Sequence, residues 1–153
     1  MSTEQKAREL FKSGYNCSQS VFAAYAERYG IDFETALKLS SSFGGGMGRL
    51  REVCGAVSGM FMVLGLAKGY SDNDYNSKKE HYKRVQYLAQ EFEKLNGSIV
   101  CRELLGLDKK KDDPTPSKRT DEYYKKRPCE ELVADACKIL DRYFAEQDSK
   151  IQS

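Results

Sequence analysis

One segment constrains everything around it: residues 53–67, VCGAVSGMFMVLGLA, run for 15 residues without a charge in a chain that is 31% charged and 40% apolar. Such a stretch must be hidden from water, and its length decides how. A membrane span takes about 20 mostly apolar residues. This segment is shorter and carries three glycines and a serine, so the expectation is a buried helix over about 52–68. It is apolar nearly all round, which places it in the centre with other helices around it. At 153 residues the chain fits one domain and is long enough to bury a core without staples.

The flanking sequence supplies those helices. Ser2 or Thr3 caps a first helix to about Lys12, with Ala7, Leu10 and Phe11 on one face and Gly14 as its stop. Asn16 with Gln19 outlines a capping box for a second helix that buries Val21, Phe22 and Tyr25 and leaves through Gly30. Asp32 caps a third, with Ala36, Leu37 and Leu39 facing inward, ending at Phe43. The apolar helix starts between Arg49 and Val53 and runs to about Lys68. A long amphipathic helix over about 72–95 follows, with Tyr82, Val85, Leu88, Ala89 and Phe92 at helical spacing. Ser98 caps a short helix closed by Gly106. A polar loop spans 107–127, and Pro128 opens a last helix with Leu132, Val133, Ala136, Cys137, Leu140 and Phe144 inside. No strand pattern and no repeat emerges. The expectation is an all-α, single-domain bundle of about six to seven helices.

Charge excludes some functions. A net +2, with basic and acidic residues interspersed, is no nucleic-acid signature, and the Lys triplet at 109–111 reads as a solvated loop. The opening MSTEQKARELFKSG is polar and has no apolar signal region, so the expected compartment is the cytoplasm, where thiols stay mostly reduced.

The chemistry lies in the cysteines. Among the five, Cys17, Cys54, Cys101, Cys129 and Cys137, no two form a CxxC pair, and no CxxCH is present for haem. Cys17, Cys54, Cys101 and Cys129 fall at or near helix starts, whereas Cys137 falls mid-helix in an apolar stripe and reads as core. A helix dipole moves a thiol by less than a unit, so four thiolates side by side need a cation, a cluster or oxidative pairing. If the four do not converge, they are buried small residues. The glycine segment FGGGMG follows a helix and lacks the Lys-Ser/Thr of a phosphate loop. Its better account is geometric: a sharp reversal carries Cys54 towards the other helix ends, and the backbone of Gly44, Gly45, Gly46 and Gly55 is free to approach a centre closely. Gly55 and Gly59, one turn apart, mark a close neighbour, either within the chain or in a homodimer. Asp112 and Asp113 read as solvated loop, His81 with Glu80 as a surface pair, and Tyr15 as a residue that can line a site.

Gly14-Tyr-Asn-Cys17-Ser-Gln-Ser, the Phe43-Gly-Gly-Gly-Met-Gly loop, Cys54-Gly-Ala-Val-Ser-Gly59, Cys101-Arg-Glu-Leu-Leu-Gly106 and Pro128-Cys129 together resemble the C_GCAxxG_C_C family, described as redox-active. The likeness spans nearly the whole chain. The family's four signature cysteines fall on Cys17, Cys54, Cys101 and Cys129, and related domains of split-Soret cytochromes carry an iron–sulfur centre and haem. Haem does not carry over, because CxxCH is missing. The resemblance implies convergence of the four thiols as ligands of an iron–sulfur cluster or zinc, serving electron transfer to a redox partner protein. Two alternatives stay open: a thiol–disulfide enzyme with Cys54 attacking and Cys17 resolving, and a non-enzymatic zinc- or copper-handling bundle.

Overall fold

The computed structural model describes residues 1–107 and 112–152; the Lys triplet at 109–111 lies outside the described residues. Local signals set the first elements. Helix α1 (Thr3–Lys12) opens with the Gln5 amide donating to the Ser2 hydroxyl at 3.1 Å. Helix α2 (Cys17–Ala26) opens on the expected capping box: the Gln19 amide donates to Asn16 Oδ1 at 2.9 Å and the Asn16 amide to Gln19 Oε1 at 3.0 Å. It leaves through a 3-10 turn, Glu27–Tyr29, and a left-handed Gly30. Helix α3 (Phe33–Ser40) is capped by Asp32, and a second 3-10 turn, Ser41–Phe43, leads into the glycines.

Helices α4 (Gly55–Lys68), α5 (Tyr75–Asn96), α6 (Cys101–Leu104), α7 (Asp121–Lys126) and α8 (Cys129–Gln152) complete the described chain. The fold is all-α, with no strand among the described residues. Helix α4 lies in the middle as its composition requires, with Ala56, Val57, Met60, Val63 and Leu64 buried against α2, α5 and α8. Helix α2 shares the centre: Val21, Ala23, Tyr25 and Ala26 have no exposure. The two approach closely because of the spaced glycines. A Cβ at Gly59 would stand 2.9 Å from the Ser18 carbonyl oxygen and 3.0 Å from Val21 Cβ. This close neighbour is within the chain. No helix among the described residues is long and apolar enough to cross a membrane.

Several expectations shift. The central helix begins at Gly55, because the residues before it form a left-handed turn and an extended piece. Leu39 and Tyr82, each 53% exposed, face water: Ala36 and Ser40 carry the inner face of α3, Leu88 and Phe92 that of α5. The long helix starts after Asp74, whose carboxylate accepts from the Ser77 amide. Ser98 stands two residues before the cap position, accepts from the Val100 amide at 2.9 Å and donates to Glu103. The polar segment contains a helix, α7, whose Thr120 cap and Asp121-Glu122 start are N-terminal signals. Pro128 lies just ahead of α8, its carbonyl accepting from the Leu132 amide at 3.0 Å.

Candidate functional site

Each of the four helix-start cysteines keeps that position: Cys17 is the first residue of α2, Cys54 the residue before α4, Cys101 the first of α6 and Cys129 the first of α8. What brings these starts together begins with the glycines. The backbone is left-handed without a break from Gly45 to Arg49, with φ of 69° at Gly45 and Gly46, 70° at Met47, 61° at Gly48 and 66° at Arg49. Arg51 follows at 61°. An L side chain in this conformation costs about 1–2 kcal/mol, so Met47, Arg49 and Arg51 are held there by their surroundings. Backbone bonds supply the restraint: the Gly48 amide donates to Gly44 at 2.9 Å, Arg51 to Gly45 at 3.3 Å and Glu52 to Gly46 at 2.9 Å. The turn then presses on its neighbours. A Cβ at Gly46 would stand 2.6 Å from Cys101 Cβ and 2.9 Å from Arg51 Cα.

A short antiparallel bridge, which the sequence did not reveal, registers two of the thiols. Val53 faces Val100, the Cys54 amide donates to Ile99 at 2.7 Å, and the Cys101 amide donates to Glu52 at 2.6 Å. Side chains alternate along an extended chain, so Cys54 and Cys101 become diagonal neighbours on one face, opposite to that of the two valines. Gly55 admits a third. A Cβ there would lie 3.2 Å from Cys17 Cβ and 2.9 Å from the Phe43 carbonyl oxygen. Cys129 completes the set, lining the same cavity and lying near enough to Cys17 for each thiol to shift the other's ionisation.

All four cysteines line one cavity of about 260 Å³, together with Gly44, Gly45, Gly46, Gly55, Tyr123 and the arginines 49, 51, 119 and 127. Cys137 is buried mid-helix, away from it. The segment after residue 112 forms a wall of the cavity and is clamped in place. Arg49 donates to the Asp113 carbonyl at 2.6 Å, to Asp112 at 3.1 Å and to Ser117 at 3.2 Å. Arg119 donates to the Phe11 and Tyr15 carbonyls at 2.8 and 3.0 Å and stacks over Phe11 and Tyr123. Arg51 is buried, donates to Cys101 Sγ at 3.5 Å and to Asp112 at 3.0 Å, and its Nε has no acceptor among the described residues.

These surroundings divide the thiols. Burial pushes Cys54 up to about 12, against the pull of the Ala56 and Val57 amides. Burial also raises Cys101, opposed by Arg51. Cys17 is raised by its contact with Cys129 and by burial. Cys129 goes the other way, held down to about 7 by the Cys17 thiol, with Arg127, Tyr123 and Arg119 helping. Arg51 therefore serves Cys101, and Arg49 serves the wall. Asp112 is no free loop carboxylate; it bridges Arg49 and Arg51. Glu80 pairs with Lys83, and His81 packs on Tyr70. Tyr15 packs on Phe33 and offers only its carbonyl to the wall. Sequence reasoning missed Arg119, Tyr123 and Arg127; the Thr120 cap was the available signal that their segment is ordered.

Fold and site define a class: a small all-α protein in which four cysteines from four helix starts share one arginine-lined cavity. Residues 15–143 match the family described as "Putative redox-active protein (C_GCAxxG_C_C)", and the chain belongs to that family. Searches of curated proteins and of solved structures find no significant match.

Proposed function

We propose that this protein carries single electrons through an iron–sulfur centre ligated by Cys17, Cys54, Cys101 and Cys129. The observation that carries the reading is the convergence of four chain-distant thiols on one cavity with room inside it. The donor set suits the group: four thiols, two or more of them destabilised as thiolates by burial, need cationic iron to ionise together. The buried Arg51 Nε, without an acceptor among the described residues, is the kind of donor that a cluster sulfide satisfies. A single zinc ion suits it less well. Tetrahedral bonds of about 2.3 Å bring sulfurs within about 3.8 Å of each other; among the described residues no group of three or more His, Cys, Asp or Glu side chains stands ready to hold a metal ion. A polynuclear centre spreads its ligands further.

When bound, the centre supplies one-electron redox chemistry. The chain does the rest. The Ala56 and Val57 amides favour the thiolate of Cys54, and the Tyr123 hydroxyl favours that of Cys129. The four arginines offset the negative charge of four thiolates, and burial of Cys54, Cys101 and Cys129 excludes water. The partner is an external redox protein. The test is anaerobic purification followed by a visible spectrum with iron and acid-labile sulfide analysis. Equal iron and sulfide are expected, lost in Cys54→Ser and kept in Cys137→Ser; wild-type protein without iron overturns the reading.

A second reading is favoured by the pairing of Cys17 with Cys129, two thiols of one cavity of which one is raised and the other lowered by its neighbour. There the Cys129 thiolate attacks a disulfide and expels one thiolate, and Cys17 then attacks the mixed disulfide and expels the second. Two electrons pass to the substrate and an intramolecular Cys17–Cys129 disulfide remains. Cys129 takes the attacking role that the sequence suggested for Cys54, whose thiol stays protonated at neutral pH. Metal-free native protein with rapid labelling of Cys129 near neutral pH would establish this reading; an inert Cys129 would remove it.

A further inference from the structure

We propose that Arg51 sets the reduction potential of the centre and that Asp112 holds that setting down, an inference that rests on the iron–sulfur reading. Arg51 is the cavity arginine that, among the described residues, donates to a ligand sulfur, with Nη1 at 3.5 Å from Cys101 Sγ. It is 3% exposed, and its Nε is buried without an acceptor among the described residues. Its position is fixed by the backbone rather than by its own side chain. A left-handed φ of 61°, the Arg51 amide on Gly45 and the Arg102 amide on its carbonyl leave the residue little freedom. A conformation this costly at a non-glycine residue is retained where the side chain must be aimed.

The second half of the device is Asp112. Its Oδ2 accepts from Arg51 at 3.0 Å and from Arg49 at 3.1 Å, and its side chain is 26% exposed. One carboxylate thus offsets part of the charge that Arg51 presents to Cys101, from the solvent side. Uptake of one electron, from a donor protein or a reduced dye, adds one negative charge beside the Cys101 sulfur, with no bond made or broken. A buried guanidinium stabilises that charge and raises the potential; the carboxylate opposes it and lowers the potential. The two partners of one ion pair therefore act with opposite sign, which a structural clamp does not do. Loss of a clamp from either side loosens the same wall.

Mediated redox titration with dithionite, monitored by visible absorption, tests this on wild type, Arg51→Gln, Arg51→Lys and Asp112→Asn, each with iron and sulfide determined. Arg51→Gln is expected to favour the oxidised state by about tenfold, a fall of about 59 mV for a one-electron couple, with Arg51→Lys intermediate. Asp112→Asn is expected to shift the potential upward by less than that. Intact iron and sulfide with potentials unmoved, or moved in the same direction, overturns the inference alone. If Arg51→Gln loses the centre, Asp112→Asn decides: no upward shift overturns it. Wild type without iron and sulfide overturns the iron–sulfur reading and the inference together.

Discussion

Gly46 and Gly65 are the same residue type with opposite reasons for being there. At Gly46, φ is 69° and an added Cβ would collide with Cys101 Cβ, the Glu52 amide and Arg51 Cα. Left-handed cost and overpacking together predict that Gly46→Ala loses about 2–5 kcal/mol in urea denaturation. Gly65 lies in α4 with nothing within 4 Å of a Cβ. Gly65→Ala is expected to gain about 0.5–1 kcal/mol from helix propensity alone. A Gly46→Ala protein as stable as wild type would mean that the left-handed turn does not press on Cys101. Composition shows both glycines; only their φ and neighbours separate them.

At the scale of elements, the cavity wall is held by few contacts. Helix α7 and its approach depend on Arg119, which reaches back to the Phe11 and Tyr15 carbonyls at the end of α1 and stacks between Phe11 and Tyr123. Arg119→Ala removes both hydrogen bonds and both stacks while leaving the four helix starts in place. Faster amide exchange over 120–127, with little change in α2 and α4, is the expected result, and unchanged protection there would assign the wall's stability to the Arg49 clamp instead. Most helices were legible because they announce themselves locally: Asn16 and Gln19 for α2, Asp32 for α3, Gly14 and Gly30 for exits. The 51–54 and 99–102 bridge was not legible. Two or three residues of extended backbone carry no period, and the bridged residues Val53 and Val100 are 47 positions apart in sequence.

For the whole molecule, the fifth cysteine is a measurable part of global stability. Burial, aided by Asp141, pushes Cys137 up to about 12, against about 8.5 for an unfolded thiol. The folded protein therefore holds that proton more tightly. Its contribution is complete below about pH 8.5 and is lost as pH rises towards 12, by about 1.4 kcal/mol per pH unit. In urea titrations of metal-free protein, the stability difference between wild type and Cys137→Ala should shrink between pH 8.5 and pH 10. A constant difference would mean that Cys137 meets water in the native state. Four cysteines at helix starts, a buried apolar helix and a pair of spaced glycines were determined by the sequence alone, since caps, periodicity and glycine placement act within a few residues. Which thiols meet, which arginine touches which sulfur and which thiol is held low were decided by the tertiary structure. Those relations join chain segments tens of residues apart, and they depend on the left-handed turn and the bridge, whose geometry exists only once both partners are packed.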